Sequence, residues 1–223
     1  MSVLRRFAKT LGLSAVEGES GITVIPLQGY SNWGHVEPFQ WLCNELLPDA
    51  IAIFVVLDRD YRPDEACADV VKALEAAGIH GHVWERKELE SYLLSRAVIS
   101  RLSGASEAAI SKWLNKITRA MEYDVFGRLL DEQIRQHVGA TRHAVDVTTA
   151  FKPVFDAAWK SAEYRLTVCP PKQVIAKLNE QLQAHGHKAV SMTALARAHV
   201  ATEIPQEVTE LLTQIEAGAA ADT

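Results

Sequence analysis

The spacing of apolar residues along the chain follows two different periods. In residues 2–11 the apolar side chains recur every three to four positions, which predicts an amphipathic helix that Gly12 ends. Residues 22–27 (ITVIPL) and 51–57 (IAIFVVL) are instead short continuous apolar runs, typical of strands. The chain therefore begins with a mixture of helical and strand-like segments.

The segments that follow continue this alternation. Residues 38–47 predict a short helix. Residues 63–78 predict a second helix, with Pro63 near its start and Gly78 at its end, and residues 80–85 (HGHVWE) predict another strand. Helices that alternate with strands indicate a parallel sheet covered by helices, so the fold class is expected to be α/β.

The second half of the chain is predicted to be mainly helical. Apolar positions with helical spacing fall in five regions: 89–137, 146–160, 172–186, 191–199 and 204–216. The tail AGAAADT that follows is expected to be frayed, as the last residues of a domain often are. A helical region is therefore appended to the α/β region.

Composition places the chain among ordinary globular proteins. It has 223 residues, of which 48% are hydrophobic and 23% charged, and a formal net charge of −5. The three cysteines have no metal-like spacing, which argues against a disulfide framework and against a zinc site. No apolar run is long enough to span a bilayer and no secretory signal begins the chain, so we expect a cytoplasmic protein with no membrane partner. The net charge neither favours nor excludes a nucleic-acid partner, because carboxylates that bind cations contribute negative charge themselves.

Two carboxylates follow the most apolar run of the chain. Asp58 and Asp60 stand directly after residues 51–57, where a central parallel strand is expected to end. Ligands of open α/β sheets bind at the carboxyl ends of the strands, and carboxylates one residue apart can share a hard cation such as Mg²⁺. The ordinary alternative is an aspartate that caps the next helix or starts a turn.

A second acidic group follows the next predicted strand. Glu88 and Glu90 lie at a strand-to-helix junction, on the same predicted sheet edge as Asp58 and Asp60. Four carboxylates from two strand ends could hold two divalent cations, which clamp the attacking and leaving oxygens in phosphodiester hydrolysis. Alternatively, the glutamates form a solvated charge run at a helix N-terminus, where acidic residues are favourable anyway.

Three segments in this order resemble a known family. LDRD (57–60), KELESYLL (87–94) and PPKQVIAKLN (170–179) are similar to motifs in the C-terminal TOPRIM nuclease region of the OLD (overcoming lysogenization defect) endonucleases. The closing segment EIPQEVTELLTQIE is also similar to the end of such proteins. The resemblance implies a TOPRIM-like parallel sheet flanked by helices, with a helical appendage. It further implies a DNA endonuclease that uses divalent metal ions.

The resemblance assigns roles to particular residues. Asp58, Asp60, Glu88 and Glu90 would hold two Mg²⁺ or Mn²⁺ ions, and Lys172 would be the catalytic lysine acting with Asp58, Asp60 and Glu90. Arg59, Arg86 and Lys87 either contact phosphates or are solvated charges.

The resemblance also predicts an organisation of the chain and its partners. Residues 1–96 would form the TOPRIM core, 97–164 a helical module for DNA or dimer contacts, and 165–223 a return to the core. Family members carry an ABC-type ATPase domain upstream. No GxxxxGK[ST] motif occurs here, so any ATP site is expected in such an upstream domain of the same protein. A homodimer is a further expectation.

One part of the family pattern does not fit. TOPRIM domains begin with a strand that ends in Glu-Gly, whereas Glu17 and Gly18 follow a helix and lead directly into residues 22–27. We therefore expect the Glu-Gly strand to lie upstream of this sequence and Glu17 to be the less favoured ligand. The alternative function is a non-catalytic TOPRIM-like module that binds metal or DNA. A receiver-like domain is a third possibility, against which the second acidic group and the helical half both count.

Overall fold

A computed structural model describes residues 2–27, 30–36, 38, 40, 41, 45, 51–138 and 143–221. The described chain is mainly helical and contains a small parallel sheet. The strands are β1 (Phe54–Leu57) and β2 (His80–Val83). The α-helices are α1 (Ser2–Leu11), α2 (Ser14–Gly18), α3 (Asp64–Ala76), α4 (Arg96–Ser103), α5 (Glu107–Arg119), α6 (Glu122–His137), α7 (Ala144–Trp159), α8 (Ala162–Val168), α9 (Pro171–Ala184), α10 (Met192–Ala198) and α11 (Gln206–Ala221). Short 3-10 helices span Tyr30–His35, Leu89–Leu93 and Ala201–Glu203.

β1 and β2 are parallel neighbours joined by α3. Their register pairs Phe54 with His80 and Leu57 with Val83, and the Trp84 N–H donates to the Leu57 carbonyl at 3.1 Å beyond the last pair. Gly81 suits this close approach, because a Cβ here would lie 3.1 Å from Cβ of Leu74 and 3.3 Å from Cα of Val71 on α3. The strand–helix–strand unit expected from the sequence is therefore confirmed.

The chain divides into two compact units. The first unit comprises residues 1–58, 68–84 and 196–223, and the second comprises residues 59–67 and 85–195. These units cut across the three regions expected from the sequence. The first unit has an apolar core beneath the sheet, formed by Val36, Val55, Leu57, Val70, Leu74 and Ile79.

A carboxylate near the end of the chain caps a helix near its start. Glu216 on α11 accepts hydrogen bonds from the backbone N–H groups of Ala15 (3.0 Å) and Val16 (2.9 Å) in the first turn of α2. These are N–H groups that an α-helix cannot satisfy internally. The bond from Ala15 is the main reason that the pKa of Glu216 is lowered. The cap therefore links the two ends of the chain within the first unit.

A buried arginine organises the helices of the second unit. Arg165 on α8 is 1% exposed. Its guanidinium donates to the Thr118 hydroxyl at 3.2 Å, to the Asn115 side-chain carbonyl and to the Trp159 carbonyl. These acceptors belong to α5 and α7, so one side chain connects three helices through neutral oxygens. Burial lowers the pKa of Arg165.

Several sequence expectations are confirmed and others are wrong. The predicted helix at 63–78 is α3, whereas residues 22–27 form neither helix nor strand. That strand fails because the run is not buried: Ile25 is 58% exposed, and Pro26 has no N–H to donate. The predicted helix at 38–47 lies largely outside the described residues.

Two further differences concern the helical half. α8 was not predicted, because only seven residues separate Ser161 from Cys169 and the segment carries little periodic signal. The tail does not fray at residue 217, since α11 continues to Ala221. Gly218 supports this extension, because its lack of a side chain lets the helix approach the ring of Phe54. Among the described helices, none is both long enough and apolar enough to cross a membrane.

Replacing Glu216 with glutamine should weaken the α2 cap. We expect Glu216→Gln to lower the free energy of unfolding at pH 7 by on the order of 0.5–1 kcal/mol. Because the folded-state pKa of Glu216 is lowered from 4.5, its contribution is complete above pH 4.5 and is lost as the pH falls through the folded value. Urea unfolding at pH 7, 5, 4 and 3.5 measures this, with Glu75→Gln as the exposed helical control. A difference from wild type that grows below pH 4.5 would contradict the cap.

Removing the buried Arg165 guanidinium should lower the free energy of unfolding much more than Glu216→Gln does. Arg165→Met leaves the acceptors on Asn115, Thr118 and Trp159 without their donor, so we expect unfolding to become easier by about 3 kcal/mol. Arg135→Met, which breaks only exposed ion pairs within α6, should change stability by less than about 0.5 kcal/mol. Equal chemical denaturation curves for the two variants would show that Arg165 does not organise the helices.

Candidate functional site

The turn after β1 places Asp60 in an unusual backbone conformation. Its φ of 54° lies in the left-handed region, which aspartate tolerates better than most residues. The Asp60 N–H donates to the Lys87 carbonyl at 2.7 Å. Arg59 stabilises the same turn, because its guanidinium donates to the Arg62 carbonyl and pairs with Asp64 at the start of α3. Asp60 is therefore held in its strained conformation by its own bond to Lys87 and by the bond from Arg59 to Arg62 across the turn.

The segment after β2 is anchored in the same way. The Lys87 N–H donates to the Thr167 carbonyl of α8 at 2.8 Å, while the Lys87 carbonyl accepts the bond from Asp60. The Ser91 N–H then donates to the Glu88 carbonyl at 2.9 Å and begins the 3-10 helix Leu89–Leu93. Backbone bonds thus fix the positions of Asp60, Lys87 and Glu88 within the second unit.

Side chains from three segments of the second unit meet in one group, the carboxylate–lysine cluster, formed by Asp60, Lys87, Glu88, Glu90 and Lys172. The Lys87 ammonium lies 3.3 Å from Oδ1 of Asp60 and 3.5 Å from Oε2 of Glu88. The side chains of Lys87 and Glu88 are only 10% and 12% exposed. Lys87 therefore neutralises Glu88, which is largely removed from water, where charge pairing is stronger than at the surface. Its other partner, Asp60, has a side chain that is 48% exposed.

Lys172 approaches the same carboxylates from another element. Its ammonium is 3.3 Å from Oε1 of Glu90 and 3.9 Å from Oε2 of Glu88. Lys172 lies in the first turn of α9, where a positive charge opposes the helix dipole, and the two glutamates offset that cost. Its side chain is 65% exposed, so its ammonium can reach a ligand in solution. Glu88 is shared between the buried and the exposed lysine.

An aromatic ring borders the buried part of the cluster. The Lys87 ammonium lies 5.1 Å from the centre of the Tyr61 ring, and the Arg128 guanidinium lies 5.8 Å from the same ring. Burial raises the pKa of the Tyr61 phenol, so the side chain is neutral at physiological pH. Its hydroxyl has no hydrogen-bond partner in the described chain. The ring therefore acts as a packing surface and cation partner rather than as an anion.

Four of the residues proposed from the sequence lie in this cluster: Asp60, Glu88, Glu90 and Lys172. Asp58 is exposed and directly follows β1, in the first unit. Glu17 lies within α2 and pairs with Lys9 at 2.9 Å, so it stands in a surface ion pair on a helix rather than at a strand end.

Sequence reasoning missed the central position of Lys87. It treated this lysine as a solvated charge or a phosphate contact, equivalent to Arg86. The structure separates the two, because Arg86 turns to the Ser91 carbonyl (3.0 Å) and the Tyr92 ring (4.8 Å) instead. Nothing in the local sequence distinguishes them, since the position of Lys87 is set by its backbone bond to Thr167 of α8, far along the chain.

The oxygens of the cluster are suited in type to a hard divalent cation. Carboxylates are the ligands that Mg²⁺ and Mn²⁺ prefer, and here the same oxygens already bind positive charge. Among the described residues, however, no three His, Cys, Asp or Glu side chains are grouped closely enough to hold an ion. A divalent cation would therefore require these side chains to exchange an ammonium partner for the ion.

Comparisons with protein-family models, with curated proteins and with solved structures find no match to this chain. The function of the chain is therefore inferred from the cluster and from the motifs that form it.

Removing the Lys87 charge should destabilise the second unit. Lys87→Met keeps the aliphatic stem but leaves Glu88 with a single cationic partner, so we expect a loss of about 1–2 kcal/mol in the free energy of unfolding. Lys177→Met, an exposed lysine on α9, is the matched control and should change stability by less than about 0.5 kcal/mol.

A double-mutant cycle tests whether the effect comes from the pair. Adding Glu88→Gln to Lys87→Met should cost less than the sum of the single changes, with a coupling energy of about 1 kcal/mol in urea unfolding. Additive effects would mean that Lys87 stabilises the fold through contacts other than Glu88.

Proposed function

We propose that this chain is the TOPRIM-like nuclease region of an OLD-type protein and hydrolyses DNA phosphodiesters with Mg²⁺ or Mn²⁺. The observation that carries the proposal is the approach of Lys172 to Glu88 and Glu90. The three motif segments are far apart in the sequence, yet Asp60 from the first, Glu88 and Glu90 from the second and Lys172 from the third lie in one cluster. If these ion pairs only stabilised the fold, there would be no reason for them to join these three motifs in particular.

The carboxylates have the role of holding the metal. Asp60, Glu88 and Glu90 supply hard oxygen ligands, and the family resemblance assigns the same role to Asp58. When bound, divalent ions would supply Lewis acidity for activating water and stabilising the leaving oxygen. Backbone bonds anchor Asp60, Lys87 and Glu88, so side-chain movement would have to bring three carboxylates together around an ion.

The two lysines have different tasks. Lys172 is exposed and held by Glu90, so it can turn towards a phosphate and neutralise charge that develops on its oxygens in the transition state. Lys87 is buried and compensates Glu88, and it shares the compensation of Asp60 with Arg62, which lies 3.3 Å from Oδ2 of Asp60. Lys172 therefore acts on the substrate, whereas Lys87 positions the carboxylates.

The proposed nuclease function also implies partners. DNA is the substrate, an ABC-type ATPase domain of the same protein is expected upstream, and two copies of the chain could associate. The second candidate is a TOPRIM-like module that binds metal or DNA without cutting. One observation favours it: each carboxylate of the cluster already has an ammonium partner.

Plasmid nicking tests the nuclease activity. We expect supercoiled plasmid to be nicked in Mn²⁺ or Mg²⁺ and to stay intact in EDTA. Lys172→Met and the double variant Asp58→Asn/Asp60→Asn should each reduce the rate at least 100-fold, because each removes charge used in the transition state. Lys177→Met, a lysine on the same helix outside the cluster, should retain the wild-type rate.

Two results would contradict the proposal. Nicking that survives both cluster variants would place the activity outside the cluster. Metal-dependent DNA binding without nicking would establish the non-catalytic module instead.

A further inference from the structure

One face of α5 carries a row of basic side chains, the basic stripe, formed by Lys112, Lys116 and Arg119. All three are exposed. Their spacing of four and three residues places them on one helical face, over about 10 Å of axial rise. No acidic residue occurs between Glu107 and Glu122, so the helix surface around the stripe has no negative charge of its own.

Among the described residues, the stripe differs from the paired cations of α6 and α7 in lacking carboxylate partners. On α6 and α7, Arg128 pairs with Asp124 and Lys152 with Asp156, one turn away. Arg135 likewise pairs with Asp131 and Glu132. Across the residues that the structure describes, no carboxylate forms an ion pair with the three stripe residues. This part of the surface therefore keeps its full positive charge, although the whole chain is acidic.

The unpaired charges have an electrostatic cost. Like charges three or four residues apart repel each other and destabilise a helix. A further positive charge lies behind the helix, because Arg165 donates to Asn115 and Thr118 of α5. Burial is the largest cause of the lowered pKa of Arg165, and the nearby charge of Arg119 is the second. A polyanion bound along this face would relieve the repulsion.

The stripe is held on a rigid support. The opposite face of α5 is buried through Ile110, Trp113, Leu114 and Ile117, and the Ser106 hydroxyl caps its first turn by accepting from the Ala109 N–H. The charges are therefore presented at a fixed spacing, and binding would order only the lysine and arginine side chains themselves.

We propose that the basic stripe on α5 binds the phosphate backbone of duplex DNA without reading its sequence. The choice of DNA depends on the proposed nuclease function, since the stripe and the carboxylate–lysine cluster belong to the same unit. A lipid surface fits less well, because none of the exposed large apolar side chains of the described chain lies on α5 to enter a bilayer.

Fluorescence anisotropy of a labelled 30-base-pair duplex, titrated with the full chain in EDTA between 50 and 200 mM salt, tests this surface apart from cleavage. The triple variant Lys112→Gln/Lys116→Gln/Arg119→Gln should weaken binding at least tenfold at 100 mM salt. It should also reduce the slope of log affinity against log salt by about 2–3, close to one for each phosphate that the protein no longer neutralises.

A matched variant controls for net charge. Arg128→Gln/Arg135→Gln/Lys152→Gln removes the same number of positive charges, but from α6 and α7. This variant should bind within about threefold of wild type. Lys112→Arg/Lys116→Arg/Arg119→Lys keeps the charges and should bind like wild type, and thermal unfolding of each variant checks its fold.

Three outcomes would overturn the inference: equal losses in the two glutamine variants, no loss in the stripe variant, or binding to phosphatidylserine vesicles but not to the duplex. Because the titration contains no divalent metal, a failure of the nuclease proposal would appear only in plasmid nicking and would leave this result intact.

Discussion

The arrangement of the candidate site depends on the backbone of Lys87. Its N–H is bonded to α8 through Thr167, and its carbonyl accepts the bond that holds Asp60 in a left-handed conformation. Two segments that follow neighbouring strands in the chain are thereby tied to one helix. The Lys87 ammonium then compensates Asp60 and Glu88, which would otherwise repel each other. Backbone and side chain of one residue thus help to position Asp60 and Glu88.

Local signals were enough to predict the elements with clear boundaries. The helix α3 could be predicted because Pro63 and Gly78 mark its ends, and β1 because its apolar run is uninterrupted. Residues 22–27 have a similar composition but form no strand, because they are not buried. An apolar run does not by itself reveal whether it will be buried. The extension of α11 to Ala221 places Gly218 close to the ring of Phe54, two residues that only the folded chain brings together.

The candidate site was predictable in part for the same reason. Carboxylates after predicted strands identified Asp60, Glu88 and Glu90, and the family motif identified Lys172. The roles of Lys87 and Arg165 were not predictable, because a buried cation looks like any surface cation in a sequence. Arg165 lies on α8 and Lys87 is bonded to it through the backbone, and α8 is a short helix without a clear pattern. TOPRIM-like folding and metal-dependent cleavage stay proposals that depend on how these residues act together.

The second unit separates its charges in a way that suits a phosphodiester substrate. Negative charge is concentrated in the carboxylate–lysine cluster, where cations can compensate it, and unpaired positive charge lies on α5. Such a division allows a chain with a net charge of −5 to bind a polyanion through one face while its carboxylates are reserved for cations. Net charge alone would not reveal this, since it averages the two surfaces.

The most direct test of the central claim is Mn²⁺ binding, followed by electron paramagnetic resonance of the free ion. The account predicts that the wild-type chain depletes the free Mn²⁺ signal at submillimolar concentration. Asp60→Asn/Glu88→Gln/Glu90→Gln should abolish this depletion. Asp124→Asn/Asp131→Asn/Glu132→Gln, which removes three carboxylates from α6, should preserve it. If the wild type leaves the signal unchanged, or if both triple variants deplete it equally, the carboxylate–lysine cluster is not a metal site and the account is wrong.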